Sequence, residues 1–258
     1  MKRSVKSLLG YMMGATDGEI GKVKDFYFDD KTWTVRYLIV ETGNWLSGRE
    51  VLISPQALLT PNWENGTFPV NLTKEQIQNS PAIDTDVPVS RQQEMGLYEH
   101  YSWPNYWGGG TGIGAMGTSG MIMPMRDSVG EEIYENAHPV AIESHGDHHL
   151  RSAETIIGYN IKAKDKAIGD VEDFIIDDIS WKLIFLVADT GNWFPGKKVL
   201  LAPKWIKEIN WDIAGVVINL SEDQVKNSPE YYPHQLVNEV YEKKLYDYYG
   251  DTFFHETP

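Results

Sequence analysis

The chain has 258 residues, a formal net charge of −14 and no cysteine. The lack of cysteine excludes disulfides and thiolate metal sites, and the acidic balance argues against a nucleic-acid partner, because phosphates are bound mainly by Lys and Arg clusters. No stretch approaches the roughly eighteen apolar residues of a membrane-spanning helix, and the basic and apolar start is too short for a signal peptide. We therefore expect a soluble, cytoplasmic protein.

An internal repeat organises the chain. Residues 20–55 recur as residues 168–203 without insertion or deletion, so that Trp33, for example, matches Trp181. Each copy is about a hundred residues long, which is enough to bury roughly 60–70% of its unfolded surface in one core.

Two domains are therefore predicted, which we call repeat 1 and repeat 2. Repeat 1 covers residues 1–107 and repeat 2 covers residues 149–258. Between them, residues 108–148 are rich in Gly, Met and His and show no hydrophobic period. Such a composition is typical of a linker.

Within a copy, the apolar residues predict strands. The apolar residues alternate along the strand, and the alternation shifts by one position between Val23 and Phe26. The same shift occurs at the same place in repeat 2, which predicts a β-bulge. Asp29 and Asp30 then predict a hairpin turn. Residues 33–41 are rich in β-branched and aromatic side chains and predict a central strand.

Shorter elements follow in the same copy. Residues 51–53 and 68–72 predict short strands, and Thr73 begins a capping-box pattern that predicts a helical turn. A second capping box leads into a helix over residues 92–101, which recurs over residues 240–249. Many short strands with turns between them predict a small barrel or sandwich, on which the aromatic face of the helix docks.

These motifs resemble the PRC-barrel family, named after the cytoplasmic domain of the photosynthetic reaction centre H subunit. The family's start has the pattern GxxIGxVxD, and its IGxVxD part appears at residues 20–25, preceded by Gly18; the VLIxP strand end and LTxxQ…SP segment appear at residues 51–55 and 72–81, and the pattern returns in repeat 2. The resemblance covers nearly everything except the linker. It implies a mainly-β protein of two tandem small PRC-type β-barrels, each followed by a short C-terminal helix.

The resemblance also implies a class of function. Members mostly serve as docking modules: the barrel caps the membrane complex in the reaction centre H subunit and contributes to ribosomal-protein binding in the ribosome maturation factor. Neither specific role carries over, because the sequence shows neither the membrane helix of the first nor the N-terminal domain of the second. The expected function is a non-catalytic interaction or scaffold protein that docks onto a protein partner, with contact to a membrane complex as one form.

An alternative is a small-molecule or metal-responsive binding protein that uses the inter-barrel cleft and the His-rich linker. Two like surfaces on one chain favour an internal pseudo-dimer, with a homodimer as the other option.

The TGNW loops are the best candidates for a partner-binding site. Asn44 and Trp45 in repeat 1, and Asn192 and Trp193 in repeat 2, follow a Thr-Gly pair. Aromatic residues on exposed loops are common anchors of interfaces. The competing interpretation is that each tryptophan folds back over a barrel end, and the sequence does not decide between the two.

The linker contains two motifs of weaker meaning. His145, Asp147 and His148 could bind a metal ion, although their spacing matches no helical or hairpin ligand pattern and flexible His-rich tracts bind metals adventitiously. Residues 112–117 match GxGxxG but lack the preceding strand and following helix that dinucleotide binding requires.

The repeated acidic residues could suggest acid–base chemistry. Asp25, Asp29 and Asp30 all recur in repeat 2. A hydrolase keeps one carboxylate pair, whereas this chain repeats the whole set, so a structural role at turns is expected. The sequence predicts no catalytic residue, no cofactor and no enzymatic activity.

Overall fold

The computed structural model describes residues 1–83, 89–107, 150–191 and 196–251. Its strands are β1 (Lys2–Ser4), β2 (Met12–Ala15), β3 (Gly18–Asp29), β4 (Thr34–Glu41), β5 (Glu50–Ile53), β6 (Thr67–Pro69), β7 (Leu150–Ser152), β8 (Asn160–Lys162), β9 (Ala167–Asp177), β10 (Leu183–Asp189), β11 (Lys198–Leu201), β12 (Ile206–Asn210) and β13 (Gly215–Ile218). Its helices are α1 (Lys74–Gln78), α2 (Arg91–Tyr101), α3 (Ala153–Ile156), α4 (Glu222–Lys226) and α5 (Glu239–Tyr248). The predicted mainly-β class is confirmed.

The strands form two sheets of the same design. The order is β5-β4-β3-β2-β6 in repeat 1 and β11-β10-β9-β8-β13-β12 in repeat 2. The pairs β2·β6 and β8·β13 are parallel, and the neighbouring ladders are antiparallel. Among the described residues no ladder joins β5 to β6 or β11 to β12, so each sheet is an open path and not a closed barrel.

The predicted bulge and hairpin are both present. The β3·β4 register shifts between Val23 and Asp25, where the alternation of the apolar residues shifts. At the hairpin, the Asp29 carboxylate accepts hydrogen bonds from the backbone N–H groups of Lys31 and Thr32, at 2.9 and 3.0 Å. The acidic residue therefore closes the turn by satisfying backbone donors.

The predicted helix starts are confirmed as well. Thr73 and Ser90 begin the two predicted capping boxes of repeat 1, and Ser221, the equivalent of Thr73 in repeat 2, begins a third. The two longer helices, α2 and α5, begin and end within one residue of the predicted ranges. On α2, Leu97 and Tyr98 are buried against the sheet, which confirms that this helix docks through its apolar and aromatic face.

Each repeat lends its first strand to the sheet of the other. β1 pairs antiparallel with β9 of repeat 2, and β7 pairs antiparallel with β3 of repeat 1. The hairpins of the two repeats also meet, since Val35 N–H donates to the Trp181 carbonyl at 2.8 Å and Leu183 N–H donates to the Trp33 carbonyl at 2.7 Å. The domain limits that follow the sequence repeat, 1–107 and 149–258, therefore do not coincide with the two hydrogen-bonded sheets.

Buried carboxylates fasten the exchanged strands. Asp25 accepts hydrogen bonds from the Ser152 hydroxyl and from the Glu154 backbone N–H, the second at 3.0 Å. In the equivalent contact of repeat 2, Asp173 accepts a hydrogen bond from the Ser4 hydroxyl. Asp25 and Asp173 are 5% and 8% exposed. Each links the sheet of its own repeat to the first strand of the other.

Two arginines add an ion pair beside each of these carboxylate contacts. Arg3 Nε lies 2.7 Å from the Asp178 carboxylate, and Arg151 Nε lies 3.0 Å from the Asp30 carboxylate. Arg3 also lies 3.6 Å above the ring of Trp63. The structure thus places the repeated acidic residues at turns and between the repeats, in agreement with the structural role expected for them.

The apolar core runs through both repeats. Phe28 of repeat 1 and Phe174 of repeat 2 are both 0% exposed, and their ring centroids are 5.9 Å apart. Trp33 stacks on Phe28 at 5.4 Å and contacts Phe174 at 6.4 Å. The two sheets therefore share one continuous core.

Asp25 is expected to make the stability of the fold depend on pH. Burial raises the pKa of Asp25 from 3.8 to about 6, although the Ser152 hydroxyl opposes the shift. At a pH between these two pKa values, the Asp25 carboxyl is protonated in the folded state and ionised in the unfolded state. The free energy of unfolding should therefore fall as the pH rises from about 4 to about 6, by at most about 3 kcal/mol from this group.

Urea denaturation of wild type and Asp25→Asn across this pH range measures the effect as the difference between the two curves. Removing the Ser152 hydroxyl in Ser152→Ala should raise the pKa of Asp25 further, and carboxyl NMR would detect this change. A carboxyl that titrates near pH 4 in the wild type would contradict the prediction.

Candidate interaction site

The TGNW loop of repeat 1 connects β4 to β5 through a 3-10 turn over Gly43–Leu46. Thr42 closes the loop, because its backbone N–H and its hydroxyl both donate to the Arg49 carbonyl, at 3.2 and 2.6 Å. Gly43 has a φ of +60°, a conformation that favours glycine. The Thr-Gly pair therefore shapes the loop, and Asn44 is exposed on it.

Trp45 folds back towards the start of β3. Its indole N–H donates to the Ile20 carbonyl, and the Lys74 ammonium lies 4.3 Å from the ring centroid. The side chain is half-buried. The tryptophan is thus fixed by a hydrogen bond and a cation–π contact, with part of its surface still open to solvent.

The exposed part of Trp45 lines an open cleft of about 600 Å³, which we call the Trp45 cleft. The lining residues come from β2, β3, the end of β4, the TGNW loop and α1: Met12, Glu19, Ile20, Gly21, Lys22, Glu41, Thr42, Gly43, Trp45 and Lys74. Apolar side chains occupy part of the wall, and two lysines and two glutamates supply balanced charge.

All these lining residues lie within residues 12–77, and that segment matches the model of the PRC-barrel domain family. The chain contains a PRC-barrel domain. No curated protein matches the chain. The family match starts at β2 and ends in α1, so the exchanged strand β1 and the helix α2 flank the matched PRC-barrel segment.

Repeat 2 lies outside the matched segment, and its assignment as a second PRC-barrel stays a prediction. Its support is the sequence repeat together with the shared strand order. Asn192 and Trp193 lie outside the described residues. Their neighbour Thr190 is described, and its hydroxyl donates to the Lys197 carbonyl at 2.8 Å, as Thr42 does in the PRC-barrel of repeat 1.

The two repeats differ in charge around this position. Lys22 and Lys74 of the Trp45 cleft correspond to Asp170 and Glu222 in repeat 2. Glu222 is paired there with Lys166, at 3.4 Å. Two positions that are basic in the PRC-barrel of repeat 1 are therefore acidic in repeat 2, which indicates that equivalent surfaces would not bind the same partner.

A buried carboxylate fixes α2 on the PRC-barrel, and the sequence motifs do not reveal it. Glu94 accepts hydrogen bonds from the hydroxyls of Tyr37 and Tyr106, at 2.9 and 2.6 Å, and pairs with Arg91 at 2.8 Å. Burial raises the pKa of Glu94, and these partners oppose the shift. The network holds the aromatic segment after α2 against the helix.

A groove of about 330 Å³ lies between the repeats and corresponds to the inter-barrel cleft expected from the sequence. Arg36 and Tyr98 line it from repeat 1, and residues 179–181 line it from repeat 2. The Arg36 guanidinium lies 3.8 Å above the Tyr106 ring. Its Nε is buried and has no hydrogen-bond partner among the described residues.

The proposed metal ligands His145, Asp147 and His148 lie outside the described residues, as does the GxGxxG segment at 112–117. Within residues 1–83, 89–107, 150–191 and 196–251, no group of three or more His, Asp or Glu side chains could hold a metal ion. In the same part of the chain, no helix is long and apolar enough to cross a membrane.

Proposed function

We propose that this protein is a non-catalytic docking module and that the Trp45 cleft binds a segment of a protein partner. The observation that carries this proposal is the Trp45 ring, which is held by Ile20 and Lys74 and still lines an open cleft. A large aromatic side chain that is already ordered loses little conformational entropy on binding, and tryptophan is enriched among residues that dominate interfaces.

The cleft also defines what the partner segment would carry. Trp45 and Met12 suit an apolar side chain, Lys22 and Lys74 suit a neighbouring carboxylate, and Glu19 and Glu41 suit a basic side chain on the same segment. The acidic residues at the equivalent positions of repeat 2 would repel that carboxylate. Peripheral contact with a membrane complex is one form that such docking takes.

The test starts with a photo-crosslinking amino acid at the exposed position Asn44, used in cells to capture and identify the partner. Binding of the purified partner is then titrated against wild type, Trp45→Ala, Lys74→Glu and Leu59→Ala. Leu59 is a matched control, because it is exposed on the same repeat but does not line the cleft.

Trp45→Ala should weaken binding by at least about tenfold, which is about 1.4 kcal/mol. Lys74→Glu should weaken it more at low salt than at high salt, and Leu59→Ala should leave it unchanged. A folded Trp45→Ala variant with full affinity would show that the partner docks elsewhere.

The second candidate is a ligand-binding protein that uses the groove between the repeats. Arg36 favours it, because its buried Nε–H, which has no hydrogen-bond partner in the part of the chain that the structure describes, could donate to a small anion or carboxylate. Thermal-shift measurements with small carboxylates, on wild type and Arg36→Ala, would distinguish it from docking at the Trp45 cleft.

A further inference from the structure

A second apolar surface lies at the start of α5, in the repeat that does not carry the Trp45 cleft. The side chains of Met1, Leu236 and Val240 are 69%, 74% and 78% exposed. All three line one groove of about 490 Å³, which we call the α5 groove. Single exposed apolar side chains are ordinary on a protein surface, whereas several that share a groove are typical of a binding surface.

The backbone beneath the α5 groove is held in place. Val237 is 7% exposed and belongs to the core. Asn238 caps α5, since its side chain accepts a hydrogen bond from the Tyr241 backbone N–H at 2.9 Å. Leu236 and Val240 flank these two fixed residues, so they could bind a partner without first ordering a loop.

Repeat 1 provides an internal comparison. Val240 corresponds to Gln92, which is exposed on α2, and Leu236 corresponds to Pro88. The first turn of the same helix is therefore polar at this position in repeat 1. Folding alone therefore does not require an apolar side chain at this position, and the exposed Val240 of repeat 2 needs an explanation other than folding.

Carboxylates outnumber ammonium groups at the α5 groove and beside it. Asp177 and Glu239 line it together with Lys2, whose ammonium pairs with the Glu242 carboxylate. Burial raises the pKa of Glu242, and the nearby charges of Glu239 and Asp177 add to the shift while Lys2 opposes it. Four carboxylates, those of Asp177, Asp178, Glu239 and Glu242, thus lie at or beside the groove with two ammonium groups, those of Lys2 and the Met1 N-terminus, and the Met1 ammonium pairs with Asp178.

The excess of carboxylates at the α5 groove favours some binding partners over others. A second copy of the chain would bring another net charge of −14 to the groove, and an anionic lipid surface would also bring like charge. Both would meet electrostatic repulsion as well as apolar attraction. A basic polypeptide with an apolar face meets attraction from both.

We propose that the α5 groove docks an apolar segment of a basic protein partner. Its apolar side chains would pack against Met1, Leu236 and Val240, and its Lys or Arg side chains would face Asp177 and Glu239. This surface is separate from the Trp45 cleft and does not depend on docking there.

The probe is a phage-displayed library of random peptides, selected against the full chain. Enriched peptides should combine Leu, Ile or Phe with Lys or Arg and carry net positive charge. One enriched sequence is then synthesised and titrated against the wild type, Leu236→Gln/Val240→Gln, Ile213→Gln and Trp45→Ala. Ile213 is a matched control, because it is 73% exposed on another hairpin of repeat 2.

The double variant should bind the peptide at least about tenfold more weakly, because the apolar burial at two side chains is lost. Ile213→Gln and Trp45→Ala should bind it as the wild type does. Acidic or neutral enriched peptides, or equal affinity in the double variant, would overturn the proposal. Loss of binding in Trp45→Ala would also overturn it, by moving the peptide to the other site.

Sedimentation of the free chain tests whether a second copy of the chain covers the groove instead. The wild type is expected to sediment as the double variant does. A wild-type dimer that Leu236→Gln/Val240→Gln dissociates would mean that a second copy covers the groove, and the proposed basic partner would be wrong.

Discussion

Gly169→Ala is expected to lower the free energy of unfolding by more than about 4 kcal/mol, or to prevent folding altogether. A Cβ atom on Gly169 would lie 1.9 Å from the carbonyl oxygen of Asp189 and 2.9 Å from the Cα of Thr190. Both neighbours are backbone atoms, so no side-chain rotation relieves the overlap. The φ of Gly169 is also +136°, which L residues rarely adopt.

Urea denaturation followed by circular dichroism measures this loss. Gly14→Ala is the matched control, because Gly14 is also in a strand and a Cβ atom there meets no heavy atom within 4 Å. That variant should stay within about 1 kcal/mol of the wild type. Gly21→Ala should behave like Gly169→Ala, since its Cβ would lie 1.9 Å from the Glu41 carbonyl. A Gly169→Ala variant with wild-type stability would contradict the close approach of these strands.

Phe174→Ala is expected to lower the free energy of unfolding by about 3–5 kcal/mol and to destabilise both repeats together. Phe174 is 0% exposed and contacts Phe28 and Trp33 of repeat 1. Truncation therefore leaves a cavity in the core that the two sheets share. Because β1 and β7 are exchanged between the sheets, neither repeat can unfold without breaking a ladder in the other.

Fluorine NMR of 5-fluorotryptophan-labelled protein can follow each repeat separately, with Trp45 reporting on repeat 1 and Trp205 on repeat 2. The two denaturation midpoints should coincide in the wild type and shift together in Phe174→Ala. Ile213→Ala, which removes an exposed side chain, should shift neither. Separate transitions, with the Trp45 midpoint unchanged in Phe174→Ala, would show that the repeats unfold independently.

Part of the candidate site could be predicted from local sequence. The TGNW pattern identified Asn44 and Trp45, because a glycine-rich loop with an aromatic residue is a common interface feature. The orientation of Trp45 could not be predicted. It depends on the Ile20 carbonyl and on Lys74, which belong to segments brought to the loop only by the folded sheet.

The sequence by itself determined the two-copy organisation, the mainly-β class, the bulge near Asp25, the hairpin at Asp29 and the capped helices. Each of these depends on residues close together in the chain, whose side-chain period and backbone hydrogen bonding are local properties. The tertiary structure alone decided which sheet β1 and β7 join and which side chains meet Asp25. Ser152 is 127 residues from Asp25 in the chain, and no local pattern encodes that distance. The exchanged arrangement is held by contacts between residues far apart in the chain: the hydrogen bonds of Asp25 and Asp173 to the first strand of the other repeat, and the shared core around Phe28 and Phe174.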